Sequence, residues 1–191
     1  IILRQEDVLM KLSPSLMRLL KFVHIILASA WLASAMILVF FFVAVIPGTS
    51  RADLHGILIA LKAIDDCVII PAANGMLISG AVYGLATHWG WFRHGWVAVK
   101  WAITLYGILF GTFFLGPRVN RLPVLSAAAP LEAPLPAEFA ADLAFLQIWG
   151  VVQFATLLAA YLLSVYRWKM RRGSTDGTPE GKRPISEAGS S

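Results

Sequence analysis

The sequence predicts an all-α, polytopic membrane protein, a four-transmembrane-helix bundle. Of its 191 residues, 58% are hydrophobic and 14% are charged, whereas a soluble domain carries roughly 25% charged residues. The apolar residues also fall into runs that are long enough to cross a hydrocarbon core of about 30 Å. A chain of this length cannot bury so much apolar surface within itself, so the lipid bilayer is its expected solvent.

The predicted spans follow from these runs and from the Pro, Gly and charged residues between them. A cytoplasmic surface arm is expected at 1–21, with Ser13 or Ser15 capping a helix that has Pro14 in its first turn. A disordered, Gly- and Ser-rich tail is expected at 171–191. Between them, the membrane domain at 22–170 holds spans at about 22–47, 66–86, 96–115 and 141–166.

The first span also resembles a signal peptide. Its Ala-Ser-Ala triplets at 28–30 and 33–35 look like cleavage sites. The apolar run nevertheless continues without a polar break to Ile46. A cleaved signal would be followed by polar chain, so we interpret this segment as a span that is retained.

The connections carry their own patterns. Residues 48–65 place apolar side chains at three- and four-residue spacing, which predicts an amphipathic helix at the membrane interface. Residues 117–136 contain five prolines and predict an extended, irregular loop. Pro71 is expected to kink the second span, and Asn74 should bond to another helix. The glutamines at 147 and 153 are expected to bond between helices.

Lysine and arginine predict the orientation. With four spans, the arm, the second connection and the tail share one side and hold eleven Lys and Arg residues, against four on the other side. The positive-inside rule therefore places both termini in the cytoplasm of a bacterial cell with an inner membrane. The net charge of +5 fits this topology and anionic lipid. Nucleic acid is not an expected partner, because no aromatic stacking surface accompanies the basic residues.

Ionisable residues at membrane depth are the candidate functional groups. His24 in the first span and Lys100 in the third are expected at the same depth near the cytoplasmic end, beside a connection that holds His88 and His94. Trp31 follows His24 by seven residues and should share its helix face. Structural alternatives remain for each: Lys100 can extend to the headgroups, His24 can bond a carbonyl, and Trp31 can serve packing alone.

Other features have simpler interpretations. Asp65 and Asp66 are expected to be interfacial charges, since a metal site with His55 would need further ligands. Small residues recur four apart in the second and third spans, at Gly75–Ser79, Gly80–Gly84 and Gly107–Gly111. Such faces allow close helix packing, either within the chain, against a second copy or against a membrane protein partner.

The residues that carry a family resemblance are His24 and Trp31, then Trp-Val-Ala-Val-Lys-Trp at 96–101. This pattern resembles bacterial four- or five-helix membrane proteins that include the copper-resistance D family and the HemJ-type protoporphyrinogen oxidase. Ile-Pro-Ala-Ala-Asn at 70–74 and Trp-Gly-Trp-Phe-Arg-His-Gly at 89–95 more closely resemble a related family of unknown function. The resemblance covers about residues 19–120.

In the HemJ type, the first-span His is implicated in binding haem b and the Lys in function. The resemblance therefore implies that His24 is an axial metal ligand and that Lys100 contacts a propionate or a substrate, with Trp31, His88 and His94 nearby. If the chain is an enzyme, it is then a membrane oxidoreductase of the porphyrin type. It departs from the pattern in lacking a second deep His and in having Leu-Ala-Ser after Trp31.

Three function classes remain open from the sequence. The first is a membrane protein that binds haem or a related hydrophobic cofactor at its cytoplasmic end. The second is a non-catalytic accessory or scaffold subunit that uses its small-residue faces. The third is a transporter of a small solute or ion.

Overall fold

The computed structural model describes residues 13–86 and 95–165, and within these ranges every regular element is helical. The predicted all-α class is therefore confirmed for the described chain. The helices are α1 (Pro14–Phe40), α2 (Arg51–Ile64), α3 (Ile70–Ala86), α4 (Gly95–Phe110), α5 (Gly116–Ala128) and α6 (Ala137–Val165). Among the described residues, three helical segments are long and apolar enough to cross a membrane: Pro14–Gly48, Ala98–Ala128 and Ala137–Leu163.

The first helix begins where the sequence predicts a cap. The Ser13 hydroxyl accepts a hydrogen bond from the Leu16 backbone N–H at 3.3 Å, and Pro14 occupies the first turn, where its missing N–H costs nothing. Helix α1 therefore starts within the predicted surface arm rather than at its end. Residues 1–12 and the predicted tail at 171–191 lie outside the described part of the chain.

Three of the long helical segments contain a π turn just before a proline, whereas α6 contains neither. The π turns are Phe41–Val45, Asp65–Ile69 and Gly111–Leu115, and the prolines are Pro47, Pro71 and Pro117. In each case the residue before the proline donates its N–H to a carbonyl five residues back. The proline itself has no N–H for the regular bond, and the wider turn accommodates that loss. Pro71 therefore acts on the helix through a π turn.

The prediction of an irregular loop over 117–136 is wrong for most of its length. Helix α5 runs from Gly116 to Ala128, with Pro117 in its first turn and Pro123 inside it. Burial offsets the intrinsic cost of Pro123, because Val119 and Leu122 on the same helix are 4% and 0% exposed. The non-helical connection to α6 is confined to 129–136.

The predicted amphipathic helix over 48–65 is confirmed as α2, although it packs on α5. Its apolar face joins a cluster that also includes the ends of α1 and α6. The buried members are Leu38, Phe42, Ile46, Leu54, Leu58, Leu61, Val119, Leu122, Phe139 and Leu146. This cluster holds more buried apolar side chains than the cluster around Trp31, so it is the main core of the described chain.

Small residues and glutamines bring the long helices together. α1 packs against α3 and α6, and α4 packs against α6. A Cβ at Gly75 would lie 2.9 Å from the Leu27 side chain, so α1 and α3 approach closely at this glycine. Gln147 donates to the Phe42 carbonyl at 2.9 Å and Gln153 to the Gly107 carbonyl at 3.2 Å, which confirms both predicted interhelical bonds.

Asn74 does not follow its prediction. Its side-chain amide donates to the Ile70 carbonyl of its own helix at 2.8 Å. A carbonyl four residues back is within reach of an asparagine on the same helix, so no neighbouring helix is needed.

Candidate functional site

A cavity of about 380 Å³ lies where α1, α3, α4 and α6 meet, and it is lined by His24, Trp31 and Lys100. The structure therefore brings together three of the residues that the sequence singled out. The other two, His88 and His94, lie outside the described residues. We call this space the His24 cavity. Lys21 also lines it, although the sequence pattern indicated only a role for Lys21 in membrane orientation.

The imidazole of His24 is held by α3. Its Nδ1 lies 2.9 Å from the Ser79 hydroxyl oxygen, and that hydroxyl lies 3.1 Å from the Met76 carbonyl oxygen. If the hydroxyl donates to that carbonyl, the Ser79 oxygen accepts from Nδ1–H of His24. In that tautomer the Nε2 lone pair is the ring's acceptor, as is usual for a histidine ligand.

Gly80 provides the room that this ring needs. A Cβ at this position would lie 3.5 Å from the His24 Cε1 atom, so alanine would touch the ring and a larger side chain would displace it. The small residues of α3 that the sequence assigned to helix packing thus also shape the site. Ser79 is the clearest example, because its small side chain lets the helices meet while its hydroxyl orients His24.

Two ammonium groups and several aromatic rings complete the lining. Lys21 and Lys100 are the cations, and Lys100 is close enough to His24 to interact with it electrostatically. The walls include the aromatic residues Tyr83, Trp101 and Tyr161, and the Tyr161 hydroxyl lies 3.5 Å from that of Ser29. The chemistry is that of an apolar slot with one imidazole and positive charge at its rim.

Sequence reasoning missed most of the aromatic lining, but a signal was available. Lys21, His24, Ala28 and Trp31 recur at three- and four-residue spacing, so they form one face of α1. All four line the cavity. This spacing predicts that the four residues share a helix face. The place of Tyr161 in the lining depends on how α6 packs, which no local sequence pattern predicts.

A second cavity, of about 490 Å³, lies on the other side of Trp31. We call it the Asp65 cavity, because Asp65 lines it together with Thr112 and Gln153. Trp31 lines both cavities and is 4% exposed. The predicted packing role of this tryptophan and its place beside His24 are therefore both observed.

Asp65 is not the interfacial charge that the sequence predicted, because it is only 8% exposed. Burial, followed by the neighbouring Asp66 carboxylate, raises the pKa of Asp65 to about 6, and Lys62 opposes this rise. Lys62 itself forms an ion pair with Asp66. Of the two adjacent acids, only Asp66 behaves as an exposed, paired charge.

A metal cluster is not formed by the described side chains. No group of three His, Cys, Asp or Glu residues lies close enough together within residues 13–86 and 95–165. His55 instead places its Nδ1 3.0 Å from the Ser126 hydroxyl oxygen, which joins α2 to α5.

The small-residue faces are partly occupied within the chain. A Cβ at Gly107 would lie 2.9 Å from the Gln153 amide nitrogen and 3.1 Å from the Trp31 ring, whereas nothing lies within 4 Å of one at Gly111. Gly107 thus serves an internal contact. A partner on these faces stays a prediction.

In comparisons with protein-family models, with curated proteins and with solved structures, nothing matches this chain.

Proposed function

We propose that this chain is a four-span membrane protein that binds haem, or a related hydrophobic cofactor bearing acidic groups, in the His24 cavity. The observation that carries the proposal is the combination found there. The His24 imidazole is hydrogen-bonded to the Ser79 hydroxyl, Lys21 and Lys100 line the same cavity, and the remaining lining is largely apolar and aromatic.

The four-span arrangement rests on the distribution of charge along the helices. No Asp, Glu, Lys or Arg occurs in 22–50, 67–92, 101–117 or 143–166. The shortest of these runs, 101–117, is about 25 Å long as a helix, close to the thickness of a hydrocarbon core. Helix α3 lies within the second run and packs along the membrane-length helix α1. The Lys and Arg asymmetry then puts both termini in the cytoplasm of a bacterial cell.

The donor set suits haem better than a bare metal ion. His24 offers Nε2 as one axial ligand, and Lys21 and Lys100 can pair with the two propionates. Trp31 and Trp101 provide apolar surface for the macrocycle. Among the described residues, His24 is the only histidine that lines this cavity. This part of the chain would therefore provide one ligand to the haem iron. Bound haem would supply one-electron redox chemistry.

The test is a haem titration of the full-length protein in mild detergent, followed by the Soret band. The wild type is expected to bind with a stoichiometry of one, and His24→Ala to lose the ligand-dependent band. His55→Ala is the matched control, because it removes the other described histidine without touching the His24 cavity. If the two variants bind haem equally, His24 is not the ligand.

Lys100→Gln distinguishes the role of the iron ligand, His24, from that of the positive charge of Lys100. Removing one propionate partner should weaken haem affinity by roughly ten-fold, the value of one charge-assisted hydrogen bond, and leave the Soret position unchanged because the iron ligand remains. A shifted band in Lys100→Gln would mean that the lysine acts on the iron, and unchanged affinity would exclude a propionate contact.

A further inference from the structure

We propose that the Asp65 cavity is a separate binding site for a small organic ammonium ion with an apolar body. The proposal is independent of haem binding. It stands on two buried hydrogen-bond acceptors that line one cavity of about 490 Å³ whose other walls are mainly apolar.

The first acceptor is Gln153. This residue is 6% exposed, and its amide nitrogen donates to the Gly107 carbonyl. That bond fixes the orientation of the amide, and its oxygen is left buried with no hydrogen-bond partner in the described structure. An unpaired buried carbonyl costs about 1–3 kcal/mol, and a ligand that donates an N–H into the cavity removes this cost.

The second acceptor is the Asp65 carboxylate. The other buried acid, Asp142, forms ion pairs with Arg118 and Arg121, and Lys62 is paired with Asp66. Asp65 has no ion pair among the residues that the structure describes. With a pKa of about 6, it is mostly ionised at pH 7. A buried carboxylate of this kind calls for a cation, and the chain's nearest lysine is engaged elsewhere.

The remaining lining determines the kind of cation. Apolar side chains of α1, α3, α4, α5 and α6 line the same space, among them Leu38, Val119 and Leu146. Ligand sites of this size combine apolar walls with a few placed polar groups. A bare metal ion would need more ligands than the described acids and histidines provide together. An ammonium group on an apolar body offers a cation and N–H donors to this polar lining and apolar surface to the walls.

The experiment uses the full-length protein in lipid nanodiscs and isothermal titration calorimetry with benzylammonium. Benzyl alcohol, its neutral counterpart, is titrated under the same conditions. We expect saturable binding of benzylammonium at one site and at least ten-fold weaker binding of benzyl alcohol, because the charged hydrogen bond is lost. Equal binding of the two probes would show apolar partitioning and would overturn the proposal, as would the absence of saturable binding.

Matched variants locate the site. Asp65→Asn should weaken benzylammonium binding at least ten-fold and Gln153→Leu several-fold. Asp53→Asn removes an exposed carboxylate of α2 that bonds Ser50 and does not line this cavity, so it should not change the affinity. The proposal is wrong if Asp53→Asn weakens binding as much as Asp65→Asn. The comparison of benzylammonium with benzyl alcohol uses the wild type alone. It therefore tests the proposal even if a variant fails to fold.

Discussion

Replacing Asp142 with alanine should weaken the end of the bundle where α5 packs on α6. The carboxylate of Asp142 is 8% exposed and accepts a hydrogen bond from Arg121 Nε at 2.8 Å, with Arg118 Nε at 3.7 Å. Arg118 also lies 3.7 Å above the Phe145 ring. One buried acid therefore anchors two arginines of α5 to α6.

The magnitude follows from the exposure of the partners. A charge-assisted hydrogen bond to a buried group contributes about 1.5–3 kcal/mol, and the longer contact with Arg118 adds less than about 1 kcal/mol. The arginine side chains are 53% and 31% exposed, so both regain water when Asp142 is removed. The loss should therefore be about 2 kcal/mol, below the 3–5 kcal/mol of a fully buried pair.

The assay is thermal unfolding in mild detergent, followed by circular dichroism. A loss of about 2 kcal/mol corresponds to a Tm lower by about 4–8 °C for a chain of this size. Arg121→Ala should lower the Tm by a smaller amount, and Glu138→Ala, which removes an exposed acid from the same helix, should change it least. A Tm for Asp142→Ala equal to that of Glu138→Ala would refute the anchoring role.

Four further substitutions probe packing and charge. Leu122→Ala removes a side chain that is 0% exposed and should cost about 2–5 kcal/mol in unfolding free energy, measured by denaturant titration; a loss below 1 kcal/mol would contradict the core assignment. Gly107→Ala should destabilise by about 1–3 kcal/mol, since its Cβ meets Trp31 at 3.1 Å. Gly111→Ala, with open space around it, should be neutral or stabilising in a thermal unfolding scan. Equal changes in stability for Gly107→Ala and Gly111→Ala would contradict the contact between Gly107 and Trp31. Because the folded pKa of Asp65 is about 6 against an ordinary 3.8, its stabilising contribution is present below about pH 4 and lost as pH rises through 6. Asp65→Asn should therefore gain stability relative to the wild type between pH 4 and 7, and a constant difference across that range would count against the burial of this carboxyl.

The helical class and the shared face of His24 and Trp31 were accessible from the sequence because both depend on local periodicity. Hydropathy over 18 or more residues identifies a helix that can cross a membrane, and seven-residue spacing brings two side chains onto one face. The cap at Ser13 was equally readable, because the bond it makes spans only three residues.

The extent of α5 and the burial of Asp65 were not accessible in this way. The prolines at 117 and 123 have low helix propensity, and only the packing of Leu122 against other helices compensates for it. Asp65 and Asp66 are adjacent and chemically alike, so sequence alone cannot show which one faces the cavity. The π turn at Asp65–Ile69 changes which side chains face the neighbouring helices. The sequence gives no sign of this turn apart from Pro71, which follows it.

The central claim, that the His24 cavity holds a haem-type cofactor, is tested most directly by a dithionite-reduced minus oxidised absorption spectrum of the purified full-length protein after haem loading. The account predicts a Soret band that responds to reduction in the wild type and in His55→Ala, and that is lost in His24→Ala. A preparation that takes up no haem, or a His24→Ala spectrum identical to that of the wild type, would contradict it.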